Sequence, residues 1–419
     1  MKGLWREGGW RQLLRLLLIA AVACALIISR RPGAFTNPQF YAEDGEIWFS
    51  TAYNAGAWHS LLLSFQGYFQ TQPRLVALIA TAFPLAWAPL LYNTFGLAFQ
   101  ITPVVLFMSD RFRPVLPSLW LRGAISAVYL LMPSTELNVT ITESQYFLAI
   151  LATLVVLAPV PRGWWGRAFD VFVVALCAMT GPFIFFVLPM ALFWWWLRRR
   201  RWTGVLSAIL VAGAIPQAYA VLTTSRLHYG LGATIQSFVH IVCDRIVLGG
   251  LFAEEGHTSV YLTGQPHGTT IGAVVALVGA GIGIFALLRA PWELRLFGLL
   301  ALVIAAAGLA EPLVSAAGHQ WEIMAVTRAG ERYFWMAQVA FVVTLLWAIS
   351  ELPRRWLRAS GWALAGAAFV SGLIVAWQYP AFADYHWPQE ARAITTAAPG
   401  TPLQLPINPS GWSVIVTAK

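Results

Sequence analysis

Long apolar runs alternate with short charged segments along nearly the whole chain. An α-helix that crosses a bilayer needs roughly 17–25 residues. By that measure the first span falls at about 13–29 and is followed by a polar stretch at about 30–73. The next apolar run, 75–108, is too long for one helix. Pro84 and Pro89 interrupt it, which predicts a partly inserted helix and then a span at about 89–108. Further spans are predicted near 118–133, 144–160, 167–180, 182–197 and 202–223. After a second polar stretch at about 224–269 come spans near 270–288, 296–314, 333–350 and 360–378. The pattern predicts an all-α polytopic membrane protein with about eleven spans. Its transmembrane domain covers 1–378, with external loops at about 30–73, 134–143, 224–269 and 315–331, and a short Pro-rich tail occupies 379–419.

Composition agrees: 58% of the 419 residues are hydrophobic and only 11% charged, which excludes an ordinary soluble domain. The net charge of +9 does not indicate a nucleic-acid binder, because the basic residues form no single patch. All but Lys2 and Lys419 are arginines, and most lie between apolar runs, as topology signals do. With the N-terminus (Lys2, Arg6, Arg11, Arg15) inside, Arg111, Arg113, Arg162, Arg167, Arg198 to Arg201, Arg289, Arg295, Arg354, Arg355 and Arg358 all fall inside. Most acidic residues then fall outside. The expected location is a bacterial inner membrane, N-terminus cytoplasmic and C-terminus periplasmic. The first span lacks a convincing cleavage site and reads as uncleaved. Cys24, Cys177 and Cys243 are scattered and give neither a metal spacing nor a disulfide framework. No phosphate-binding glycine loop or dinucleotide fingerprint is present.

The chemistry concentrates in the external loops. Phe40-Tyr-Ala-Glu-Asp-Gly-Glu-Ile-Trp-Phe49 places Glu43, Asp44 and Glu46 within four residues. Asp44-Gly45 reads as the start of a short helix to about Asn54, stopped by Gly56. A carboxylate at a helix N-terminus is held ionised by the dipole there, which suits a general base or a cation ligand; the alternative is a plain N-cap. The same loop carries Tyr41, Trp48, Trp58, His59, Tyr68, Gln70, Gln72 and Arg74. The 134–145 segment carries Glu136, Asn138, Thr140, Thr142, Glu143 and Gln145, a strip that either binds substrate hydroxyls or solvates the loop. The second long loop contributes Arg226, His228, Asp244, Arg245, Glu254, Glu255 and His257, and the last loop His319, Glu322, Arg328, Glu331, Arg332 and Tyr333. Arg328 and Arg332 are four apart, a spacing that puts both on one helix face. A guanidinium fork at headgroup level fits a lipid phosphate. The aromatics suit sugar faces and equally suit an interfacial belt. Gly279-x-x-x-Gly283 reads as helix packing.

These residues, with Ala42-Glu-Asp-Gly45 at the start of a long first external loop, resemble the GT-C-type glycosyltransferases, polytopic enzymes that use polyprenyl-phosphate sugars at the external face. Gly67-Tyr68 to Pro73-Arg74-Leu75, Asn138 to Gln145, Gly181-Pro182-Phe183, Arg332-Tyr333 and Pro406 to Trp412 add to the likeness across the chain. The resemblance implies amphipathic helices in the first loop and transfer of a sugar to an envelope glycan or lipid acceptor. It implies Asp44 or Glu43 as base, with Glu46 as a supporting acid. Arg328, Arg332, Arg74 and Arg245 would bind the carrier phosphate. Tyr41, Tyr68, Asn138, Gln145, His319 and Tyr333 would contact substrate. No cofactor is certain; a divalent cation stays open, because the second acidic motif of metal-dependent members is not evident. Many relatives carry a sizeable soluble external domain, whereas the tail read here is about 40 residues. A transporter or flippase of an envelope precursor is the alternative. It calls for polar groups through the bundle midplane, where few are seen.

Overall fold

The computed structural model describes residues 7–225, 228–254, 267–316 and 318–419. Lys2, Arg6, Arg226, Glu255 and His257 lie outside the described residues. The chain is mostly helical. Among the described residues, seven helices are long and apolar enough to cross a membrane: Trp10–Arg30, Leu85–Met108, Arg201–Thr223, Gly268–Arg289, Trp292–Ala310, Glu331–Ser350 and Arg355–Val375. Shorter apolar helices span Leu119–Leu131, Gln145–Leu157 and Ile184–Arg198. The protein is a multi-pass, membrane-embedded helical protein. The long run at 75–108 is broken as its prolines require: a helix Thr71–Ala80 ends before Pro84, and a second begins at Ala88.

The chain divides into two compact units. The first comprises 1–119, 137–226 and 378–419. Its most buried ion pair ties two loops to two helices. Arg111 makes a bidentate contact with Asp170 at 2.6 and 2.7 Å and donates to the Pro159 carbonyl, while Trp202 Nε1 donates to Asp170 at 3.0 Å. This fork geometry satisfies a carboxylate with no exposed surface.

The acidic motif starts a helix, as its glycines predict. The first turns, Asp44–Phe49, have wide i→i+5 bonding, and an α-helix Ser50–Ala55 continues to Gly56 at φ +92°. A small hairpin, β1 (Ser64–Phe65) with β2 (Tyr68–Phe69), precedes the Thr71–Ala80 helix.

The tail is not an independent appendage. It forms an amphipathic helix, Trp387–Thr396, and an antiparallel hairpin, β3 (Pro402–Ile407) with β4 (Trp412–Thr417). Trp387, Ile394, Leu405, Ile407, Val414 and Val416 enter one core with Phe40, Trp48, Phe49, Tyr53, Val76 and Tyr92. Burying six such side chains stabilises the first unit by roughly 1.5–3 kcal/mol for each fully buried one. Gly45 is part of this fit. A Cβ there would lie 2.7 Å from Val414 Cγ2 and 2.8 Å from Ile407 Cδ1.

The second unit comprises 120–136 and 227–377. Glu331–Ser350 packs along Trp292–Ala310, and Ile241, Leu309, Met324, Ala325 and Phe334 form a core beside it. Gly279 makes the close approach expected of it, since a Cβ would sit 2.5 Å from Val247; Gly283 has open space around it and does not.

Candidate functional site around the acidic motif

Asp44 is 1% exposed. Its carboxylate caps no helix; it reaches across to the 137–145 segment. Ile141 N–H donates to Oδ2 at 3.1 Å, and Thr142 N–H and hydroxyl donate to Oδ1 at 2.9 and 2.6 Å. One turn later, Trp48 Nε1 donates to the same Thr142 hydroxyl at 2.8 Å. The carboxylate is thus held by the 141–142 segment and not by the N-terminus of its own helix. Burial pushes the Asp44 carboxyl up to about 7, against the pull of its three hydrogen bonds and with the Glu43 charge adding to the rise. Glu43 and Glu46 are both half-buried.

The 137–145 segment does not solvate itself. Leu137, Asn138, Val139, Thr140, Ile141 and Ser144 are all buried. A buried loop must satisfy its backbone through side chains, and here Asp44 serves two N–H groups and Gln100 Oε1 accepts from Val139 N. Val139 takes φ +56°, a conformation β-branched residues rarely adopt. Both side-chain polar atoms of Asn138 are buried without a hydrogen-bond partner.

Arg74 lies in the Thr71–Ala80 helix, 2% exposed, with its guanidinium 5.2 Å from the centre of the Trp48 ring. Its Nε and Nη1 are buried with no hydrogen-bond partner, and burial lowers its pKa. The buried Tyr92 hydroxyl also has no hydrogen-bond partner. A buried guanidinium with unmet N–H groups has the donors to accept an anion.

Gln145 is half-buried beside Gly181. Tyr41 and Tyr68 are both half-buried. The Tyr41 backbone bridges Asn408 and its ring stacks on Phe382 at 5.3 Å, while Tyr68 pairs with Phe65 in the first hairpin. Gln70, Gln72 and Gln217, which the sequence reading left without roles, build this neighbourhood. Gln217 brackets the Phe69 backbone, accepting from its N–H at 2.9 Å and donating to its carbonyl at 3.1 Å.

The remaining candidates belong to the second unit. Arg245 is 4% exposed and donates to the carbonyls of Thr327 at 2.6 Å and Arg328 at 3.0 Å, which makes it a loop clamp. Arg332 pairs with Glu136 at 3.1 Å and donates to the Leu313 carbonyl. The Arg332-Tyr333 pair does open a helix, but that helix starts at Glu331 after Gly330 at φ +75°. Arg328 lies before this break, so the shared helix face expected of Arg328 and Arg332 does not form. Tyr333 accepts the Leu313 N–H through its hydroxyl, and His319 is exposed against Gly230 and Gly232.

Among the described residues, no three His, Cys, Asp or Glu side chains converge as metal ligands, and no step below uses a cation. No protein-family model matches the chain, and no curated protein sequence or solved structure matches it.

Proposed function

We propose that this protein transfers a sugar from a polyprenyl-phosphate carrier to an envelope glycan or lipid acceptor at the periplasmic face of a bacterial inner membrane, as a GT-C-like enzyme of about eleven spans. The observation that carries this reading is Arg74, a buried cation with two unmet N–H donors in the same unit as the acidic motif. In this reading Arg74 holds the carrier phosphate, in place of the Arg245, Arg328 and Arg332 set. Glu43, half-buried and next to Asp44, is the base, and Glu46, also half-buried, is the supporting acid. Asp44 is a positioning residue, since both its oxygens are spent on the 141–142 segment.

The step balances without a further reactant. The acceptor hydroxyl gives its proton to Glu43 as its oxygen bonds to the anomeric carbon. The bond from that carbon to the carrier phosphate breaks, and the phosphate leaves with the electron pair, its charge stabilised by Arg74. Burial makes that electrostatic contact stronger than it would be in water.

Mass spectrometry of surface glycans from a deletion strain tests this, with membrane levels matched across rescues. Wild type is expected to restore one missing sugar. Glu43→Gln is expected to lower transfer by about 100-fold or more, the scale of a lost general base, while keeping the melting temperature. Asp44→Asn is expected to lower both transfer and melting temperature, because the amide nitrogen would replace one of the two acceptor oxygens and face a backbone N–H donor. Full rescue by Glu43→Gln and by Arg74→Gln would sink the transferase reading.

One observation favours the transporter or flippase alternative. Asp244, 2% exposed in the second unit, lies beside Cys243 and has His240 Nδ1 at 3.8 Å. A carboxyl buried beside a histidine is a pair through which a proton can pass. Loss of the glycan with Asp244→Asn, together with full rescue by Glu43→Gln, would favour it.

A further inference from the structure

Gln72 and Gln145 present buried carbonyl oxygens that have no hydrogen-bond partner among the described residues. Gln72 is 1% exposed, and its Nε2 donates to Ser144 Oγ at 2.6 Å. Ser144 has already given its own proton to the Ile141 carbonyl, so the serine oxygen accepts. That fixes the amide orientation and leaves Gln72 Oε1 as an acceptor without a donor. Thr180 repeats the pattern: its hydroxyl donates to the Leu176 carbonyl at 2.7 Å and accepts from Gln72 N–H at 3.2 Å. Gln145 Oε1 is likewise buried without a partner, pressed against Gly181, where a Cβ would approach it to 2.0 Å. Gly181 at φ +66° thus provides both the turn and the space for this amide. The two carbonyls are joined by two routes, through Ser144 and through the 180–181 turn. Every hydroxyl between them has spent its proton.

Two buried acceptors left without a hydrogen-bond partner favour a ligand that brings donors. Each buried carbonyl left unmet is costly, and the hydroxyls of a sugar ring supply neutral donors. We propose that Gln72 and Gln145 form a subsite that reads the hydroxyls of a neutral sugar and rejects a uronic acid, whose carboxylate would face two carbonyl dipoles. The assignment of that sugar as the transferred group rests on the transferase reading. The subsite itself rests only on the amides. A divalent cation fits the site poorly, since such ions take six or more oxygens, usually with carboxylates among them.

The test uses the full-length protein in lipid nanodiscs. Saturation-transfer NMR follows methyl glycosides of glucose, galactose, mannose and glucuronic acid, and native mass spectrometry follows undecaprenyl phosphate alone. At least one neutral glycoside is expected to bind wild type, and the glucuronide to bind none. Gln72→Met and Gln145→Met are each expected to weaken the neutral glycoside about 5- to 10-fold, the scale of one lost hydrogen bond. Gln145→Asn, which keeps an amide but withdraws its carbonyl, is expected to do the same without risking the fold. Undecaprenyl phosphate is expected to bind these variants as it binds wild type, and to bind Arg74→Gln more weakly. Neutral glycosides binding all variants like wild type, no glycoside binding wild type, or Mg2+ or Ca2+ stabilising wild type but not Gln145→Asn would each overturn the subsite. Failure of undecaprenyl phosphate alone, with the glycoside pattern intact, would remove the transferase reading and leave the subsite standing.

Discussion

At the scale of the residue, Asp44 is the most informative side chain. It contributes two acceptor oxygens to a buried loop, and the cost of that burial appears as its raised pKa. The unfolded chain releases this proton near 3.8 and the folded protein near 7. Between those values the folded state holds more protons, so stability falls as pH rises, by about 4 kcal/mol across the window. Asp244, also raised by burial, acts in the same direction. Thermal unfolding in detergent is therefore expected at higher temperature at pH 5 than at pH 8. Asp44→Asn should flatten the slope in part, and adding Asp244→Asn should flatten it further. A slope unchanged in Asp44→Asn would show that this carboxyl does not titrate in that window.

At the scale of the element, the decisive contact joins the acidic-motif helix to the tail hairpin. Ser50 Oγ and Asn54 Nδ2 both reach the Ile415 carbonyl on β4, and Thr417 N–H donates to Asn54 Oδ1 at 2.9 Å. Gly45 meets Val414 and Ile407 where any Cβ would crowd them. Gly45→Ala is expected to cost about 1–3 kcal/mol through overpacking, and Val414→Ala about 2 kcal/mol through a cavity. Combined, they should couple favourably by about 1 kcal/mol, because the new methyl enters the space that valine vacates. Strictly additive melting shifts would mean the glycine is not there to admit the hairpin. The hairpin has its own sequence signal: Leu403, Leu405 and Ile407 alternate with polar or exposed positions, Val414 and Val416 do the same, and Asn408-Pro-Ser-Gly411 supplies a turn. It is hard to see beside helical spans whose hydrophobicity dominates the chain.

At the scale of the whole molecule, two compact units are assembled from interleaved segments, and the tail returns to the unit that contains the N-terminal helix. Orientation is still carried by the arginine bias. A cysteine at His386, exposed in the tail, should react with a membrane-impermeant maleimide in intact cells, on a background with the three native cysteines replaced by alanine. One at Arg200, exposed between two apolar helices, should react only after permeabilisation. The opposite pattern would invert the topology and move the proposed site to the cytoplasmic face.

Apolar run lengths, proline breaks and the glycine stop at Gly56 determined the helical, membrane-embedded character and the short helix after Glu43, because these are local properties of the backbone and of bilayer thickness. The sequence also marked the acidic motif, Arg74, Asn138 and Gln145 as polar exceptions in an apolar chain. Tertiary structure alone decided what each exception does. Arg328 and Arg332 lose their common face because Gly330 begins a new helix between them. Arg245 and Arg332 turn inward because nearby carbonyls and Glu136 are in reach. Gln72 gains its role only when Ser144 and Thr180, 72 and 108 residues away, arrive with their protons already given to other carbonyls. Pairings at that separation leave no local period in the chain, since they depend on which buried donors and acceptors remain unmet once the helices have packed.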